Sequence, residues 1–91
     1  TRGGETSMEN RMAVLAVIVR DSGSAAALNA LLHQYEDCIL GRMGIPCRDR
    51  GIRLISIALD APADVISALA GKIGRLEGVT AKAVYAPQDG S

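Results

Sequence analysis

Residues 52–59 have the sequence IRLISIAL, which is the clearest strand in the chain and decides the fold. Side chains alternate between the two faces of a strand, so this segment has one bulky face and one small face. The bulky face consists of Ile55, Ile57 and Leu59, and the small face of Leu54, Ser56 and Ala58. We therefore expect the bulky face to lie under helices and the small face to suit the close approach of another sheet.

Three further segments have the composition of strands. The apolar run from Met12 to Val19 is rich in valine and isoleucine, which predicts a central strand buried on both faces. Cys38 to Met43 predicts a second strand, which Gly44-Ile45-Pro46 interrupts because proline cannot donate to a sheet ladder. Val79 to Tyr85 predicts the last strand, and Pro46 to Gly51 predicts a solvated connection.

Two segments space their apolar residues as helices do. The first runs from Ala25 to Tyr35, after the turn residues of Arg20 to Ser24. The second follows Asp60-Ala61-Pro62, which offers an acid and a proline to the opening turn. It is predicted to stop at Glu77-Gly78, where glycine can adopt the left-handed cap.

The order strand, helix, strand, strand, helix, strand predicts an α+β fold of the ferredoxin-like βαββαβ type. Right-handed crossovers fold this order into a four-stranded antiparallel sheet with two helices on one face, a two-layer sandwich. The other sheet face stays bare, although the strands place apolar residues on it. An apolar face of that size usually marks an interface, so we expect a homo-oligomer, a dimer or tetramer, joined through sheet faces or edges.

Length and composition narrow the classes of function. The 91 residues can enclose one modest core. Ten basic and ten acidic residues give no net positive charge, and the aromatic fraction is 2%, so direct binding of nucleic acid is disfavoured. The longest apolar run is too short to cross a bilayer, which needs about 20 residues. With no export signal and two isolated cysteines, we expect no membrane association and a cytoplasmic location.

Particular segments of the chain are similar to a known family. From about Met8 to Tyr85, the chain resembles the small ACT-like proteins described as regulators of the iron-only hydrogenase system. The resemblance rests on Asp21-Ser22-Gly23, Gly41-Arg42-Met43-Gly44-Ile45-Pro46, Asp60-Ala61-Pro62-Ala63-Asp64-Val65-Ile66-Ser67-Ala68-Leu69 and Gly71-Lys72-Ile73-Gly74-Arg75-Leu76.

This resemblance implies a ferredoxin-like fold related to the ligand-binding domain of nickel-responsive repressors, and occurrence in bacteria that make iron-only hydrogenases. We place the ACT-like domain at residues 10–86, a flexible lead at residues 1–9 and a tail at residues 87–91.

The turn after the first strand is the first candidate ligand site, with Asp21, Ser22, Gly23 and Ser24 as its residues. It resembles the loop of ACT domains where small ligands settle between subunits. Free backbone N–H groups of residues 25–27 would favour a carboxylate or another anion there, such as an amino acid. The alternative is that Asp21 and Ser24 only cap the helix, which is a common role for these residue types.

The second candidate consists of Arg42, Met43 and Gly44, within the segment Gly41 to Pro46, where two glycines flank Arg42-Met43. The guanidinium of Arg42 offers a forked donor for carboxylate or phosphate. The alternative is a structural bulge and close packing in an oligomer, because glycine in a strand often marks such geometry.

The sequence contains no residue pattern typical of a catalytic site or of a metal site within one chain. No grouping of nucleophile, acid and base is visible, so we expect no enzymatic activity. Cys38 and Cys47 lack the short spacing of zinc or redox sites, and with His33 they supply fewer ligands than a closed tetrahedral site needs. His33 also has no histidine partner, so inherited nickel binding is not predicted, although two chains could share a metal.

The function predicted from these observations is an oligomeric regulatory or sensing module that binds a small ligand at a subunit interface. Its partners would be its own copies, a small anionic metabolite or amino acid, and a partner protein. The sequence identifies no cofactor. Two alternatives remain: a structural or assembly protein that binds partner proteins without a metabolite, and an accessory metal-binding protein.

Overall fold

A computed structural model describes residues 9–87 of the chain. Four strands and two helices follow one another in the predicted order. They are β1 (Asn10–Val19), α1 (Ala25–Gln34), β2 (Ile39–Cys47), β3 (Ile52–Pro62), α2 (Ala63–Gly74) and β4 (Val79–Tyr85). Short 3₁₀ turns at Ser22–Ser24, Glu36–Cys38 and Arg48–Arg50 connect them.

The strands form one antiparallel sheet in the order β2-β3-β1-β4, so β1 and β3 are central and β2 and β4 are edges. Both helices cover the same face of this sheet. The ferredoxin-like α+β prediction is therefore confirmed, including the boundaries of β4 and the start of α1.

The core lies between the helices and the covered sheet face. It is built from aliphatic side chains, because the described chain offers only two tyrosines as aromatic residues and both lie at its margin. The fully buried large side chains are Leu15, Val17, Ile57, Leu59, Ile66, Leu69 and Ile73. Residues 57 and 59 of the bulky face of β3 are thus buried as predicted.

The sequence prediction for β1 is wrong in one respect. Its residues alternate strictly between exposed and buried from Met12 to Val19, so the strand is buried on one face only within the chain. Its continuous apolar composition arises because its second face, directed away from the helices, is apolar as well.

The second strand was predicted to end before Gly44, but β2 continues to Cys47 and includes Pro46. The missing N–H of proline is tolerated because β2 is an edge strand, with one side free of a ladder partner. The register with β3 shifts between Ile39 and Gly41, so the irregularity lies ahead of the glycine–proline segment.

The segment before α2 also differs from the prediction. Asp60-Ala61-Pro62 completes β3, where Asp60 pairs with Met12, and Pro62 is the N-cap position of the helix. The helix ends at Gly74, earlier than predicted. Gly78 does adopt the left-handed conformation, with φ of 71°, but in the turn that leads into β4.

The sheet face away from the helices, called the outer face below, is apolar and uncovered. Cross-strand pairing assigns its central rows: Ile45–Leu54–Ile18–Thr80, Met43–Ser56–Ala16–Lys82 and Gly41–Ala58–Val14–Val84. All eight large apolar side chains that are exposed in the described chain belong to strands of this sheet: Met12, Val14, Ile18, Leu40, Met43, Ile45, Leu54 and Val84.

Two of the sequence predictions fall largely outside the described residues. The flexible lead at 1–9 is described only at its last position, and the tail at 87–91 only at its first. Within residues 9–87, no helix is long and apolar enough to cross a membrane.

Candidate functional site

The turn at Asp21–Ser24 is held together by its own hydrogen bonds. The Gly23 N–H donates to Oδ1 of Asp21 at 2.9 Å, and the Ser24 N–H donates to the Asp21 carbonyl at 3.0 Å. The N–H of Ala25 donates to the carbonyl of Ser22. It is therefore not free, contrary to the expectation for residues 25–27, because a 3₁₀ turn precedes the helix.

Ser24 fixes this turn to the loop before β4, which lies 53 residues further along the chain. Its hydroxyl is buried and donates to the Glu77 carbonyl at 2.6 Å, and it makes no cap hydrogen bond to α1. The Arg20 N–H likewise donates to the Gly78 carbonyl at 2.7 Å. Asp21 caps the 3₁₀ turn and Ser24 ties it to the loop before β4, so these two side chains have structural partners.

The second predicted group, Arg42, Met43 and Gly44, is divided between the two faces of the sheet. Arg42 pairs with Ile57 on the covered face, where its Nη1 lies 3.5 Å from Oδ1 of Asn29. Gly44 is on the same face, whereas Met43 lies on the outer face opposite Ser56. The three residues therefore do not form one site.

A cleft of about 410 Å³ lies between the start of α1 and the β2–β3 hairpin. This volume falls in the range of about 300–1,000 Å³ that small-molecule sites occupy. Its apolar walls include Val19, Ala25, Leu28, Ile52 and Ile55. Its side chains with polar or charged groups are Ser22, Asn29, Cys47, Arg48 and Arg53.

The charged side chains that line this cleft are all positive. Arg48 and Arg53 line it, and no aspartate or glutamate does. Within residues 9–87, neither arginine forms an ion pair shorter than 4.0 Å. The cleft is therefore suited to an anion more than to a cation.

Sequence reasoning found one of these polar residues as a ligand candidate, Ser22, and missed Asn29, Arg48 and Arg53. Arg48 was assigned to a solvated connection, and Arg53 lay within a strand whose pattern was dominated by isoleucine and leucine. The available signal was three arginines in the six residues from Arg48 to Arg53, opposed by one aspartate.

A second recess lies on the other side of the hairpin tip. It is lined by Pro46, Cys47, Arg48, Asp49, Arg50, Ile52 and Leu54. Four of these residues also line the cleft, and Leu54 belongs to the outer face. The hairpin tip is therefore a shared wall between the cleft and the outer face.

The cysteines and the histidine are kept apart. Cys38 precedes the first residue of β2 and Cys47 is its last, so the two cysteines lie at opposite ends of this strand. Nδ1 of His33 lies 3.4 Å from Glu36 on the exposed end of α1. Within residues 9–87, no three histidine, cysteine or acidic side chains lie close enough together to hold a metal ion.

Together, the four-stranded antiparallel sheet and the two helices on one of its faces define a small ferredoxin-like domain. Comparison with known proteins gives the family. The family model of TM1266-like proteins, described as "Iron-only hydrogenase system regulator, putative", matches residues 11–83. The chain therefore belongs to the TM1266-like family, and the resemblance inferred from the sequence is confirmed.

A solved structure agrees with this assignment. The uncharacterized protein TM1266 from Thermotoga maritima is 34% identical in sequence and superimposes with a TM-score of 0.83, covering 87% of this chain and 100% of the other. Among curated proteins, no sequence matches the chain with statistical significance.

Proposed function

We propose that this protein is a cytoplasmic, non-enzymatic regulatory module of the iron-only hydrogenase system, which self-associates through its outer face and senses a small ligand in its cleft. The observation that carries the proposal is the position of the β2–β3 hairpin, whose tip borders both surfaces. A ligand against one wall of the hairpin and a second subunit against the other would both contact this element, which is the route that we propose for coupling between the two binding events.

The composition of the outer face favours a second copy of the chain as its partner. Val14 and Ile18 on the central strand are 45% and 36% exposed, which leaves apolar area uncovered in the middle of the sheet. Burial of apolar area stabilises an association by about 25 cal/mol per Å² before the costs of binding are subtracted. A face of this kind on a small domain is typical of an interaction site.

The charges on the outer face are compatible with self-association. Lys82 lies in one of its central rows, and Asp60 lies beside Met12 at the adjoining end of the sheet. The two charges cancel, so two copies facing each other meet no net repulsion between like charges. In an interface with two-fold symmetry, the lysine of one copy can also approach the aspartate of the other.

Light scattering tests the assembly. We expect the wild-type protein to have a mass that is a multiple of the 9.5 kDa chain. Val14→Lys places a charge at the centre of the outer face and should reduce the mass to that of one chain, because an unpaired charge buried in an interface costs several kcal/mol.

Ala68→Lys is the matched control, since it adds the same charge at an exposed position on α2. It should leave the mass of the assembly unchanged. A wild-type protein that remains monomeric at high concentration would contradict self-association, and an apolar face reserved for a different protein would then be the better explanation.

A further inference from the structure

We infer that the cleft between α1 and the β2–β3 hairpin binds a small organic anion, in which a carboxylate or phosphate group is attached to an apolar body. The arginines of the hairpin would bind the acidic group, and the aliphatic wall would bind the body. This inference rests on the proposed sensing function and specifies its ligand by chemical class.

The apolar part of the ligand is inferred from the walls. Leu28 of α1 and Ile55 of β3 face the cleft from opposite sides, and Val19 closes it at the end of β1. Leu28 and Val19 are themselves buried, so the inner part of the cleft is continuous with the core. A fully hydrophilic ion would gain nothing from these walls, whereas a short hydrocarbon body would lose contact with water there.

The acidic group is inferred from the charges. Arg53 pairs in register with Val19 and Pro46, on the covered side of the sheet, which directs it toward the cleft. Arg48 lies in the 3₁₀ turn at the hairpin tip and lines the same cleft. Guanidinium groups match carboxylate and phosphate oxygens with two parallel hydrogen bonds, and such charge-assisted bonds are among the stronger ones in proteins.

The neutral polar groups complete the site. The Ser22 hydroxyl and the Asn29 amide line the cleft on the side of α1, opposite the hairpin. Asn29 is also the residue whose side-chain oxygen accepts from Arg42, and these two residues line a separate recess beside the cleft. Of the predicted ligand residues, Ser22 lines the cleft, whereas Arg42, Met43 and Gly44 do not.

The experiment uses four probes that share one apolar body: hexanoate, hexyl phosphate, hexylamine and 1-hexanol. Isothermal titration calorimetry should show hexanoate or hexyl phosphate binding with Kd of about 1 mM or lower, a strength that ligands of this size can reach. Hexylamine and hexanol should bind at least about tenfold more weakly, because hexylamine is a cation that the arginines repel and hexanol is neutral and has no pair of oxygens for a charge-assisted bidentate contact. The comparison of the two anions identifies the acidic group that the site prefers.

Arg53→Gln removes a charge from the cleft and should weaken binding of the preferred anion by about tenfold or more. Arg50→Gln is the matched control, because Arg50 lines the recess on the other side of the hairpin and not the cleft. Arg50→Gln should change the Kd of the anion by no more than about twofold. A change of that size is what the loss of long-range attraction between a distant positive charge and the anion would cause in physiological salt.

Three results would overturn the inference: no binding of either anion to the wild-type protein, equal binding of hexylamine, or an equal loss of affinity in both variants. Light scattering on the same samples separates this failure from that of the proposed assembly. An oligomer that binds neither anion would contradict the proposed ligand and support the proposed self-association. A monomer that binds hexanoate or hexyl phosphate would support the proposed ligand and contradict self-association.

Discussion

At the scale of single residues, Gly78 occupies the most constrained position of the described chain. Its φ is 71°, and an added Cβ would lie 2.6 Å from Cβ of Asp21. We predict that Gly78→Ala lowers the free energy of unfolding by about 2–4 kcal/mol, because a left-handed conformation and an overpacked contact add their costs. Urea denaturation monitored by circular dichroism measures the change.

Gly51 provides the matched control for this prediction. It has a similar φ of 67°, but an added Cβ would meet nothing within 4 Å. Gly51→Ala should therefore cost only the conformational part, about 1–2 kcal/mol. If the two variants are destabilised equally, the turn at Asp21 accommodates the added methyl group without cost, and the close approach of Gly78 to Asp21 does not constrain position 78.

At the scale of secondary-structure elements, α2 contains a glycine that its helix does not require. Gly71 is exposed in the last turn, and an added Cβ would come no closer than 3.7 Å to Arg75 Nη1, an ordinary contact. We predict that Gly71→Ala raises the free energy of unfolding by about 0.5–1 kcal/mol, since alanine restricts the unfolded chain and favours helix.

Thermal unfolding measures this second prediction as a rise in Tm of about 4–8 °C per kcal/mol for a domain of this size. A fall in Tm would indicate that the close approach of another chain, in an assembly, requires glycine at position 71. The comparison therefore also reports on whether α2 takes part in contacts between subunits.

The elements show which parts of the fold can be predicted from local sequence. The boundaries of β4 and the start of α1 follow from side-chain periodicity and turn residues, which act over a few positions. The extent of β2 does not, because Pro46 is allowed or forbidden according to whether the strand lies at an edge. That property depends on the order of the strands in the sheet, which no local pattern contains.

The cleft was not predictable from the sequence for the same reason. Ser22, Asn29, Arg48 and Arg53 come from four separate elements, and only the packing of α1 beside the hairpin brings them together. The Asp21–Ser24 turn was identified because its residues are contiguous. Its partner, the Glu77–Gly78 loop, lies more than fifty residues away and gave no sign of the hydrogen bonds that fix the turn.

At the scale of the whole molecule, self-association should make thermal stability depend on protein concentration. Binding of a second copy to the folded chain, and not to the unfolded chain, stabilises the folded state by mass action. We predict that Tm rises by several degrees over about a hundredfold increase in concentration. Differential scanning calorimetry of the wild-type protein and of Val14→Lys measures the effect.

The variant with lysine at position 14 should show a Tm independent of concentration, since its outer face cannot exclude water. A concentration-independent Tm in the wild-type protein as well would mean that the outer face stays wet. The Ala68→Lys protein serves as the reference here, because it carries the added charge and retains the face.

Pro46 at the sheet margin has a consequence for the kind of particle that the protein builds. An open β-sheet invites endless lateral addition of strands, and this is how fibres grow. On the β2 side, the proline withholds the amide that a neighbouring strand would need as a partner. Association through the outer faces ends once each outer face is covered by another copy. The protein should therefore form oligomers of fixed size, which dissociate on dilution.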